Sequence, residues 1–145
     1  MTLEHVAIWT NDLERLKDYY VKFYGGRAGN KYKNGSTGFE SYFLSFESGA
    51  RLEIMQKPGI SENLNDIVNA QHLGIIHLAF GVKSMKEVDD KSGELVVHGY
   101  TILRGPRKTG DGYYEFETLD PDGNRLEVVV SWELRDASSS LRSTK

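Results

Sequence analysis

His5-Val6-Ala7-Ile8 returns as His77-Leu78-Ala79-Phe80, 72 residues further along the chain. Behind the first copy stand Leu13, Leu16, Tyr20 and Phe23. Behind the second stand Met85, Val88, Ser92 and Leu95, at the same offset and with the same 3-4-3 spacing. That spacing lays an apolar stripe along one face of an α-helix. A second pair of matching tetrapeptides closes each half: Arg51-Leu52-Glu53-Ile54 and Arg125-Leu126-Glu127-Val128, now offset by 74, so the second half has gained two residues. Matched order, spacing and helix phase make the chain a tandem repeat of one small unit.

The punctuation agrees in both halves. Asn11 precedes Glu14 by three and Ser84 precedes Glu87 by three, the spacing of a capping box. Gly25-Gly26 and Gly99 lie where each helix should stop. Aromatic-rich strand material follows at Phe39–Phe46 and Tyr113–Leu119, with Gly49 and Asp122-Gly123 supplying turns before the last strands. Each half therefore reads as strand, helix, then three strands. The expected fold is α+β: two β-α-β-β-β modules forming a curved mixed sheet. Residues 1–132 make one domain, with 1–56 as module one, 57–74 as linker and 75–132 as module two. A short helix is expected around Glu62–Ala70, and residues 133–145 read as a polar, serine-rich tail.

Composition narrows the function classes. The 145 residues contain no cysteine, which removes disulfides, thiolate metal sites and cysteine nucleophiles. The net charge of −3 comes with no basic stripe or polybasic block, so neither nucleic acid nor an anionic membrane surface is an expected partner. The first residues, MTLEHVAIW, carry an acid and no apolar run of export-signal length. A cytoplasmic location is the expectation.

Strand parity picks out the chemistry. Side chains alternate across a strand, so if Val6 and Ile8 pack on the first helix, His5, Ala7 and Trp9 face the other way. Ile76, Leu78 and Phe80 leave His77 and Ala79 on the opposite face. Leu52 and Ile54 leave Glu53 outward, and Leu126, Val128 and Val130 leave Glu127 outward. Two histidines and two glutamates thus hold equivalent places in two equivalent modules. Singly, each reads as an ordinary strand residue. Together, two imidazoles and two carboxylates suit one divalent ion, Ni, Zn, Co, Mn or Fe, with His5, Glu53, His77 and Glu127 as ligands. His72 and His98 read instead as a linker residue and a helix-end residue.

The carriers of this pattern, with Asp120-Pro121-Asp122-Gly123-Asn124-Arg125-Leu126-Glu127-Val128, give the chain a resemblance to the vicinal oxygen chelate superfamily over about residues 1–132. The resemblance covers glyoxalases, bleomycin-resistance proteins and dioxygenases. It implies a small-molecule substrate and usually a homodimer, which the exposed Trp9 face also favours. The His-Glu-His-Glu set is most similar to that of bacterial lactoylglutathione lyase, glyoxalase I. It implies a metal-dependent lyase or isomerase acting on an α-oxygenated carbonyl or thiol adduct through an enediolate. The resemblance assigns the proton-moving role to Glu127, with Glu53 as the paired catalytic carboxylate. In similar proteins the basic connection Arg104–Gly112 borders the pocket mouth. Arg104, Arg107, Lys108 and Tyr113 are therefore candidate substrate contacts, as is Trp9. Trp9 stands where bacterial glyoxalase I usually has an arginine for the glutathione carboxylate, which leaves the thiol open. Two other readings are a binding or resistance protein without turnover and an iron-dependent ring-cleaving dioxygenase.

Overall fold

A computed structural model describes residues 1–47 and 49–131. The chain divides into two compact units, Met1–Leu64 and Asn65–Lys145. The tail expected at 133–145 lies outside the described residues.

In the first unit, β1 (His5–Trp9) leads into α1 (Leu13–Tyr24). Short strands β2 (Arg27–Ala28) and β3 (Tyr32–Asn34) follow, then β4 (Phe39–Ser45) and β5 (Arg51–Gln56). β1 runs parallel to β5, β5 antiparallel to β4, and β2 and β3 both pair with β4. The second unit contains β6 (Leu78–Val82), α2 (Met85–Val97), β7 (Ile102–Lys108), β8 (Tyr114–Leu119) and β9 (Arg125–Val130). Its sheet order is β6-β9-β8-β7, with β6 parallel to β9. The mixed sheet is laid down as two sheets, one to each unit.

The helices form where the apolar stripes predict. Leu13, Leu16, Tyr20 and Phe23 of α1 are buried, as are Leu44, Leu52 and Ile54 of the sheet they face. Val88, Ser92 and Leu95 of α2 are buried, as are Phe116, Leu126 and Val128. Met85 departs from its stripe. It is the first helical residue and stays exposed. The start of α1 is one residue later than the capping box suggests. Asp12, not Asn11, accepts the Arg15 N–H, while Thr10 Oγ1 accepts from Asp12 and Gln56 Oε1 accepts from Leu13. α2 begins as expected, with Ser84 accepting from Glu87, but the Glu87 carboxylate returns to the Lys83 N–H. Tyr42 and Tyr114 both turn to their helices, donating to Glu14 and Asp89 respectively.

Two expectations fail. No helix forms around Glu62–Ala70. Asp66 folds the chain there into a turn, its carboxylate accepting the Val68 and Asn69 N–H groups and so offering the backbone an alternative to helix. Much of the basic segment 104–112 is strand rather than connection, because β7 continues to Lys108 and only the turn to Tyr114 lies outside it. What hides the strand is irregular pairing. Ile102 faces Thr118, Arg104 faces Glu117 and Arg107 faces Glu115, so β7 gains one residue at each step. Such bulges break the alternation a sequence reading relies on. The outer strand of the first unit is irregular too: the five residues from Ala28 to Tyr32 oppose the four from Leu44 to Ser41, which splits β2 from β3.

Candidate metal centre

His5 opens β1 and His77 stands just before β6, and each glutamate sits on the parallel strand beside its histidine. His5 is level with Arg51, and Glu53 is level with Ala7. Glu127 is level with Ala79, and His77 immediately precedes β6. Each histidine is therefore diagonal to its glutamate on one face of the sheet. His5 Nε2 lies 3.9 Å from Glu53 Oε2, and His77 Nε2 lies 3.7 Å from Glu127 Oε2. These gaps exceed hydrogen-bond reach. Ligand bonds to a divalent ion run roughly 2.0–2.2 Å, and two of them meeting at an angle bridge such a gap. Among the described residues no three His, Asp or Glu side chains are gathered into a cluster, so each unit offers a pair.

The surroundings of the pairs differ. In the first unit the His5 ring meets Phe43 edge-on, with centroids 5.3 Å apart. The Arg51 guanidinium lies over the same Phe43 ring at 4.2 Å. Glu4 bridges the two, accepting from His5 Nδ1 through one oxygen and from Arg51 through the other. Those bonds, His5 first and Arg51 second, hold the Glu4 carboxyl below the usual carboxylate range.

In the second unit the residue facing Glu127 across β8 is Glu117, where Phe43 faces Glu53. Glu115 and Glu117 are buried, 7% and 8% exposed. Arg107 reaches both, at 3.1 and 3.4 Å, and the buried Arg125 donates to Glu117 at 2.5 Å. Arg125 also donates to the carbonyls of Ile67 and Val68, tying the 65–70 turn to β9. Burial pushes Glu127 above the ordinary carboxylate value; Glu115 pushes the same way, and His77 opposes it. A desolvated carboxylate with a histidine nitrogen 3.7 Å away is a pair of donors that suits a cation, while Glu115 and Glu117 are taken up by Arg107 and Arg125.

The other candidates fall at different places. Trp9 ends β1 on the His5 face, 39% exposed, edge-on to Phe39 and with Lys57 Nζ 5.6 Å from its ring centre. Arg104 and Arg107 share the Glu115–Glu117 face, but Arg107 is committed to those acids. Lys108 is level with Tyr114 and so lies on the helix side, away from Glu127. Tyr113 sits in the turn between β7 and β8, its backbone bonded to Thr109. Glu4, Glu115 and Glu117 are absent from the sequence-derived set. The last two were open to detection, since two-residue spacing and hairpin pairing put them on the Glu127 face.

The glyoxalase/bleomycin resistance protein/dioxygenase superfamily profile matches residues 2–128, and the chain belongs to that superfamily. An uncharacterized protein of Bacillus subtilis, YqjT, is 28% identical over 88% of this chain and 98% of its own. The fold is that of the trypanothione-dependent glyoxalase I of Leishmania major, at 20% identity, with a TM-score of 0.71 over 97% of this chain and 94% of that one. It is also that of a glyoxalase family protein from Enterococcus faecalis, at 24% identity, with a TM-score of 0.69 over 87% and 94%.

Proposed function

We propose that the protein is a metal-dependent lyase or isomerase of the glyoxalase I type, acting on an α-oxygenated carbonyl compound or its thiol adduct. The observation that carries this reading is the repeated histidine–glutamate pair, at 3.9 and 3.7 Å. His5, Glu53, His77 and Glu127 would hold one divalent ion (Ni, Zn, Co, Mn or Fe), with one pair of each kind per ion. A bound ion supplies Lewis acidity, which polarises a substrate carbonyl and makes the adjacent C–H acidic. Glu127 takes that proton and returns it to the neighbouring carbon, so the reaction is an isomerisation with no net change in protons. Burial raises its affinity for a proton, the direction that favours a group that must take one from carbon. Glu53 is the second carboxylate of the set. We assign Arg104, exposed on the Glu127 face, to an anionic group of the substrate, and Trp9 to an apolar one. Among the described residues no helix is long and apolar enough to cross a membrane. We place the enzyme in the cytoplasm as a homodimer.

The test is elemental analysis of untagged protein after reconstitution and desalting. One equivalent of metal per four-donor set is expected, lost at acidic pH as His5 and His77 protonate. Absence of stoichiometric metal with all five ions would overturn the reading in favour of a binding protein. Oxygen consumption dependent on iron would favour ring cleavage.

A further inference from the structure

We infer that Glu4 is a positioning residue for His5, selecting the ring tautomer that leaves Nε2 free to bind metal; this rests on the proposed metal role of His5. Three contacts carry it. Glu4 Oε2 lies against His5 Nδ1, Glu4 Oε1 takes the Arg51 Nε at 2.8 Å, and His5 Nε2 is the atom turned toward Glu53. An ionised carboxylate only accepts, so Nδ1 carries the hydrogen and Nε2 the lone pair. Arg51 fixes Glu4 in turn, and its guanidinium is itself seated on Phe43. The backbone joins the arrangement, with the Arg51 N–H bonded to the Glu4 carbonyl at 2.9 Å. The support therefore runs from an aromatic ring through an arginine and a carboxylate to the imidazole.

Nothing equivalent stands behind His77. The residue before it is Ile76, and among the described residues no carboxylate meets its Nδ1. The two donor pairs are thus unequal, the first oriented before metal arrives and the second free to choose its tautomer. Carboxylates behind a metal-binding imidazole typically change metal affinity by about 10–100-fold when removed.

The experiment compares wild type, Glu4→Ala and Glu4→Gln in two ways. Nitrogen NMR of the metal-free proteins above pH 8 reads the His5 tautomer directly, a signal that a merely structural role would not move. Calorimetric titration with Ni²⁺ or Co²⁺ reads affinity. Glu4→Ala should give a mixed His5 tautomer and about 10–100-fold weaker binding. Glu4→Gln should restore much of both, because its amide oxygen still accepts from Nδ1. An unchanged tautomer in Glu4→Ala, or affinity within twofold of wild type, overturns the inference. A wild type that binds neither these ions nor Zn²⁺, Mn²⁺ or Fe²⁺ overturns the proposed function instead, and the tautomer comparison still decides what Glu4 does to His5.

Discussion

The two units carry the same donors in the same places and support them by opposite means. Across the strand from Glu53 stands Phe43; across the strand from Glu127 stands Glu117. The first unit uses that position as an aromatic platform on which Arg51, Glu4 and His5 are stacked or bridged, so its support is directed at the histidine. The second uses it for a buried acid, needing Arg125 and Arg107 to balance it, so its electrostatics are directed at the glutamate. Like charges directly opposite on a sheet disfavour one another, and here that opposition helps to raise the proton affinity of Glu127. In the proposed reading, a repeat with symmetric donors divides the labour, the first unit presenting a fixed ligand and the second the base.

The sharpest break in this comparison is chemical. Glu127→Gln should lower turnover of an α-oxoaldehyde thiol adduct by about two to four orders of magnitude, the usual general-base contribution, while retaining part of the metal. Glu53→Gln should cost less. Steady-state kinetics beside metal content would decide, and equal losses would dismiss Glu127 as the base.

The next break is in stability. Arg125 is 4% exposed, and Arg125→Met strands the buried Glu117 as well as two turn carbonyls. The loss should be about 3–5 kcal/mol, as for one partner removed from a buried pair. Arg51→Met, at the matching position, removes an exposed ion pair with Glu4 and should leave the unfolding midpoint close to wild type. Urea unfolding of both variants tests the contrast, which disappears if the two midpoints move together.

The smallest effect is a pH dependence of the metal-free protein. Glu127 binds its proton more tightly folded than unfolded, so its charging opposes folding. The penalty is absent at pH values below the ordinary carboxylate value of 4.5 and grows as pH rises toward the elevated one. In chelator, Glu127→Gln should therefore melt progressively higher than wild type as pH rises through that window. Parallel melting curves across it would remove the electrostatic half of the comparison.

Much of this was written in the chain at the level of pattern. The repeat located both helices, and parity placed His5 and Glu53, and His77 and Glu127, on corresponding faces, because apolar neighbours on those strands alternate cleanly. The supporting residues were harder to read. Glu115 and Glu117 alternate with Tyr114, Phe116 and Thr118 as solvent-facing acids would, and only pairing with β9 and the arginines reveals burial. Glu4 precedes the strand and has no periodicity to expose it. Its meaning arises from Arg51, 47 residues away. The caps were legible to within a residue, since Asn11 and Asp12 compete for one role and the choice fell to the Thr10 and Gln56 side chains. Turn chemistry at Asp66 outweighed the helical reading of 62–70.

The doubled irregularity of β7 has a further consequence. Gly105 holds φ at +85°, and a Cβ there would stand 2.6 Å from the Glu115 carbonyl oxygen, so no other residue fits without displacing β8. Its neighbour Pro106 lacks an N–H, and Arg104, Arg107 and Lys108 place three cations along the same outer strand. An incoming strand would meet a broken ladder, a missing donor and like charges if its own border were basic. This border of the sheet is closed to growth. The opposite border among the described residues, β6, carries no such obstruction within Leu78–Val82, a stretch with neither bulge nor charge.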